Sequence, residues 1–190
     1  STSATKAILN RSPVASFTSS PSTPYTGDTV TFDASSSYDP DGTIVLYSWT
    51  FGDGANATGI MVTHAYAENG NYTVTLKVTD NDGSTASVSA AKTVLDRLPV
   101  ASFTASSTGV DKGQPVTFNA SSSYDPDGTI VSYFWTFGDG ANATGMVVSH
   151  SYANVGSYTV TLTVMDNDNS TASTSLVITV GNKAPVASFT

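Results

Sequence analysis

The residues best able to do chemistry are acidic, and they come in sets. Asp39 and Asp41 flank a proline in the stretch SSSYDPDGTIV at residues 35–45, and the same eleven letters return at 121–131 with Asp125 and Asp127. A further aspartate, Asp80, follows Asp41 at a distance matched by Asp166 after Asp127. A close pair of carboxylates in a loop could contribute to a divalent-cation site, because calcium takes roughly six to eight oxygen ligands in a flexible geometry. Asp-Pro-Asp-Gly is equally a good turn sequence, with proline fixing φ and glycine tolerating unusual backbone. The residues alone leave both readings open. Paired aspartates could also hydrolyse glycosides, but one catalytic site has no need of near-identical tandem copies. A non-enzymatic chain is expected.

Other candidates have plainer readings. His64 and His150 stand alone, one in each copy, which suits a core or turn hydrogen bond better than a metal site. Gly52-Asp53-Gly54 lacks the lysine and glycine spacing of a phosphate loop and reads as a hairpin turn, with Asp53 capping backbone amides. Asn-x-Ser/Thr sequons occur at Asn10, Asn56, Asn71, Asn119, Asn142 and Asn169. Of these, Asn56 and Asn142 lie in GANATG stretches that read as exposed loops suited to glycosylation, so a glycoprotein is expected.

These residues are positioned by a repeat. Residues 13–98 align with 99–184 without a gap, and about 56 of the 86 positions are identical. PVASFT opens at Pro13, Pro99 and Pro185, and SATKAILNRSP at 3–13 matches SAAKTVLDRLP at 89–99. The periodicity predicts domains at 13–97 and 98–183. Residues 1–12 are then the last strand and linker of a preceding repeat, and 184–190 the first strand of a following one.

Within a repeat the apolar residues alternate with period two. Val30, Phe32 and Ala34 share a face, as do Val45, Tyr47, Trp49 and Phe51, and Tyr72, Val74, Leu76 and Val78. Strands are expected at 15–18, 29–35, 45–51, 60–66, 71–80 and 84–94. About seven strands per repeat with turns between them indicate an all-β fold, a tandem array of immunoglobulin-like antiparallel β-sandwiches. The expected core is Trp49, Trp135, Phe51, Phe137, Tyr72 and Tyr158.

Bulk properties narrow the function. The 190 residues include 57 Ser or Thr, yet 17 Phe and Tyr with two Trp supply packed cores. The net charge of −8 and the absence of any Lys/Arg run argue against nucleic-acid binding. No cysteine is present, and no run of about 18 apolar residues could span a membrane.

The stretch YDPDGTIVLYSWTFGDG, followed by HAY and GNYTVTLKVTDNDG, resembles the PKD (polycystic kidney disease) domain family. Both copies depart from the family's W-D-F-G-D-G at the second position, where Thr50 and Thr136 stand. The resemblance implies a non-catalytic, extracellular or cell-surface module. It also implies calcium, held by Asn10, Asp39, Asp41 and Asp80 in one copy and by Asp96, Asp125, Asp127 and Asp166 in the next. Affinity in such modules is on the order of 10⁻⁴ to 10⁻³ M.

The sequence therefore favours a structural segment of a stalk, surface layer or fibre, stiffened at its junctions, with neighbouring repeats or identical subunits as partners. One alternative is an accessory module of a secreted hydrolase that contacts glycans or matrix. That reading calls for an exposed aromatic strip, but Tyr25 and Phe134 have Asp111 and Ser48 as counterparts. The other alternative is a filament joined by strand exchange.

Overall fold

The computed structural model describes residues 9–182; the strands expected within 1–8 and 183–190 lie outside the described residues. The chain divides into two units, 1–96 and 97–190. Unit one contains β1 (Thr18–Ser20), β2 (Thr29–Asp33), β3 (Ile44–Thr50), β4 (Asn56–Thr58), β5 (Met61–Ala65), β6 (Gly70–Asp80) and β7 (Thr85–Val94). Two sheets form, ordered β1-β2-β5 and β4-β3-β6-β7, and every pairing between these strands is antiparallel. No helix is present among the described residues, so none is long and apolar enough to cross a membrane.

Unit two contains β8 (Thr104–Ala105), β9 (Gly109–Asp111), β10 (Pro115–Asn119), β11 (Ile130–Thr136), β12 (Asn142–Thr144), β13 (Val147–Ser151), β14 (Gly156–Asp166) and β15 (Thr171–Gly181). Its sheets run β13-β10-β8 and β12-β11-β14-β15-β9, with β9 parallel to β15. The two units are thus all-β sandwiches, as the alternation requires.

Each sandwich has its own core. Trp49 on β3 meets Phe17 edge-on at 5.1 Å and Phe32 of the facing sheet at 5.8 Å. Its indole N–H donates to the Gly59 carbonyl at 2.9 Å, so the one polar atom of this buried ring is satisfied. Trp135 repeats these contacts with Phe103, Phe118 and Gly145. Phe51 and Phe137 are buried as expected.

Three expectations need correction. Tyr72 and Tyr158 are only half-buried at the core's margin, while Tyr66 and Tyr152 are fully enclosed. A bulge between Ile44 and Leu46 shifts the register of β3, so Val45 turns outward and is 63% exposed. An extra residue inverts the alternation beyond it. Finally, Asn56–Thr58 and Asn142–Thr144 are short edge strands, and the first strand of unit one spans Thr18–Ser20 in place of 15–18.

The units differ beside their last long strand. Pro24 has no N–H to give, and unit one forms only an isolated parallel bridge, Tyr25 to Leu95, where unit two builds β9. Lys92 compensates: its ammonium donates to the carbonyls of Pro21 (3.1 Å) and Ser22 (3.2 Å) and sits 6.0 Å from the Phe32 ring. Burial holds the Lys92 pKa below the usual lysine range. Ile178 fills the equivalent place in unit two.

Candidate functional site

The loop between β2 and β3 carries Asp39 and Asp41, and it is tied to the segment that enters the unit. Val14 and Tyr38 exchange backbone hydrogen bonds at 2.7 and 3.1 Å, and the Ser37 hydroxyl donates to the Ser16 carbonyl while accepting from the Ser16 N–H. This fastening brings the expected residues together. The Arg11 N–H reaches both Asp41 oxygens at 3.3 and 3.2 Å. The Asn10 amide donates to Asp80 Oδ2 at 3.0 Å and to Ser84 Oγ at 2.9 Å.

Asp80 ends β6, and its Oδ1 accepts the N–H groups of Asp82 (2.9 Å) and Ser84 (2.8 Å), which closes the β6–β7 turn. Burial works against the charge of Asp80, but the Asn10 amide and these backbone donors outweigh it and hold the pKa below the ordinary value. Asp39 goes the other way. Desolvation first, opposed by the Asp41 N–H and reinforced by the Asp41 and Asp80 carboxylates, raises its pKa.

Unit two repeats the arrangement with Asp125, Asp127 and Asp166. Asp127 accepts the Arg97 N–H at 3.1 Å, and Asp166, fully buried, caps Asp168 and Ser170 at 2.9 and 2.8 Å. Asp96 is half-buried at the end of unit one.

The sequence reading did not single out Asn81 and Asn167. The Asn81 side-chain oxygen accepts the Thr43 N–H at 2.8 Å, while its own N–H donates to the Thr43 carbonyl at 3.0 Å. A Cβ on Gly42 would collide with Asn81 Oδ1 and lie 2.5 Å from Asp39 Oδ2. Gly128 is hemmed in the same way by Asn167 and Asp125. A side chain at the glycine of Asp-Pro-Asp-Gly would thus have to displace the Asn and Asp carbonyl and carboxylate oxygens beside it. The adjacency of Asn81 to Asp80 in TDNDG was the available clue.

Do these residues suit calcium? Asp39 Oδ2, Asp127 Oδ1 and Asp166 Oδ2 are buried and have no hydrogen-bond partner. A buried carboxylate oxygen is costly unless a hydrogen bond or a cation meets it. The donor set is all oxygen, which suits a hard cation. As placed, no three acidic or histidine side chains among the described residues are close enough to share an ion. Sharing one ion would require these carboxylates to lie closer together than they do here.

The histidines belong to a separate clip. The His64 Nε2–H donates to Asp53 Oδ2 at 2.6 Å, while Asp53 Oδ1 accepts the Ala55 N–H at 3.0 Å. The imidazole stacks on Phe51 at 4.2 Å and meets Tyr66 edge-on at 4.6 Å. Asp53 is partly desolvated, yet the Ala55 N–H and His64 bring its pKa below the usual carboxylate range. Burial pushes the Tyr66 phenol up to about 12, with the Asp53 charge adding to the effect. Asp139, His150 and Tyr152 repeat the clip, with 2.7 Å between carboxylate and imidazole. It joins the β3–β4 hairpin to β5 of the opposite sheet.

Residues 10–94 and 96–180 each match the family model of the PKD domain. The chain belongs to the PKD domain family. Both repeats are therefore copies of a non-catalytic module. The pre-pro-metalloprotease PrtV of Vibrio cholerae is 37% identical over 131 residues, 69% of this chain and 14% of that protein. A microbial collagenase of Vibrio alginolyticus is 47% identical over 60 residues, 32% of this chain and 7% of that protein. The solved PKD1 domain of the Vibrio cholerae metalloprotease PrtV is 38% identical, covering 44% of this chain and 98% of that one at a TM-score of 0.40. The chain thus spans about a seventh or less of the length of the two curated relatives.

Proposed function

We propose that this PKD pair is an extracellular accessory segment of a secreted hydrolase, and that calcium fastens the acidic end of each unit. The observation that carries the first part is the 37% identity to a metalloprotease across 69% of the chain, joined by the match to a collagenase. Against the gapless repeat, which favours a stalk or surface layer, these relatives tip the balance towards the hydrolase. The partners expected on this reading are matrix protein or glycan. The complete gene product tests it: a hydrolase domain on the same polypeptide is expected. A long run of PKD copies ending in a wall or membrane anchor would overturn it in favour of the structural reading.

Calcium is supported by the buried, unpartnered oxygens of Asp39, Asp127 and Asp166. Asn10, Asp39, Asp41 and Asp80 would hold the ion in unit one, and Asp127 and Asp166 would contribute in unit two. Bound calcium would neutralise carboxylates that now repel one another and would bind the entering segment of unit one to its β6 end. Melting in millimolar CaCl₂ against EDTA is the measurement. A rise in Tm with calcium, not reproduced by magnesium at equal ionic strength, is expected. Superimposable melts would exclude the site.

A further inference from the structure

The six sequons are not equivalent in the fold. Only the Asn56/Asn142 pair falls at the same place in both repeats; Asn10, Asn71, Asn119 and Asn169 face Asp96, Ser157, Asp33 and Gly83 in the other copy. In β4, Asn56 pairs with Thr50, Ala57 with Trp49 and Thr58 with Ser48. Trp49 points inward, so Ala57 packs against the core while Asn56 and Thr58 both face outward and are exposed. An extended strand places such i and i+2 side chains on one face, roughly 7 Å apart. The strand lies at the edge of its sheet, and among the described residues no further strand pairs with its outer side. Among the described residues no hydrogen bond engages the side-chain amide of Asn56 or Asn142. Asn142 and Thr144 share this geometry on β12.

The other four sequons are engaged or bent. The Asn10 nitrogen is spent on Asp80 and Ser84. Asn71 lies on the inner strand β6 and accepts the Thr93 hydroxyl at 2.7 Å. Asn119 caps the Ser121 N–H at 2.9 Å, with the buried Ala120 between them. Asn169 has φ of 69°, a left-handed turn in place of an extended strand.

We propose that Asn56 and Asn142 are the chain's acceptor sites for an N-linked glycan, one on each unit. The donor class is an oligosaccharide on a lipid pyrophosphate. Asparagine Nδ2 bonds to the anomeric carbon and gives up one proton. The anomeric C–O bond to the pyrophosphate breaks, and the lipid pyrophosphate leaves with that electron pair. No oxidation or reduction occurs. A glycan there would cover the open ladder edge of β4 or β12, which is otherwise free to pair with another chain.

The proposal rests on the extracellular reading but is tested apart from it. The folded, full-length chain is incubated with oligosaccharyltransferase membranes and lipid-pyrophosphate oligosaccharide, then measured by intact mass and peptide mapping. Two oligosaccharide increments are expected on the native chain, one on Asn56→Gln or Asn142→Gln, and none on the double variant. Thr58→Ala, which breaks the sequon and leaves the asparagine, should also remove one increment. An unmodified native chain, or increments that persist in the double variant, would overturn the assignment. Neither result bears on where the protein resides.

Discussion

At the scale of the residue, Asp39 is placed against its own charge. Its folded pKa is raised, so the ionised form is disfavoured in the fold, and that penalty is present above the folded pKa and fades as the pH falls through it. Asp39→Asn should therefore raise Tm at neutral pH in EDTA and at the same time abolish any gain from calcium. A variant that loses stability in EDTA would refute this account of Asp39. The acidic residues were legible in the sequence, because Asp-Pro-Asp-Gly and the trailing aspartate repeat in phase. What was not legible was the partner that shapes the loop. Asn81 acts through a long-range bond to Thr43, and spacing along the chain does not reveal which loop a side chain will meet.

At the scale of the element, the Asp53–His64 clip joins two sheets through a hairpin tip. Gly52 permits it: φ is 90°, and a Cβ there would lie 2.8 Å from the backbone of Thr73 on β6. Asp53 has a lowered folded pKa, so its contribution is present above the unfolded carboxylate value, about 4, and is lost as the pH falls through the folded value. Asp53→Asn should cost about 1–3 kcal/mol at pH 7 and should flatten the loss of stability between pH 4 and 2. Urea melts across that range measure both. The hairpin turn and the Asp53 cap were readable from Gly-Asp-Gly, but the histidine's partner was not. His64 and Asp53 are eleven residues apart, on elements that meet only once the sheets stack. The alternation gave Trp49 its inward face and failed at Val45, because a bulge leaves no mark in a two-residue period.

At the scale of the molecule, two separate cores predict separable unfolding. Trp49→Ala removes the centre of one core and leaves Trp135 in place. It should destabilise unit one by about 3–5 kcal/mol and split a calorimetric melt into two transitions, the upper one unmoved. A single transition shifted as a whole would mean that the units unfold as one. The repeat itself was the clearest thing in the sequence, since an ungapped 86-residue offset survives without any knowledge of structure.

That offset also creates a hazard during synthesis. Neighbouring domains this alike can exchange strands as they emerge, and misassembly between similar neighbours is a characteristic failure of repeat proteins. Among the described residues, Lys92 and the proline-bearing loop it grips are the one place where the two cores differ in charge. If β7 were to enter unit two, it would carry an ammonium to the place of Ile178, wholly buried among apolar side chains, while the carbonyls of Pro21 and Ser22 stayed behind in unit one. The native pairing satisfies that ammonium, whereas the equivalent place in unit two is filled by an apolar side chain with no charge to satisfy.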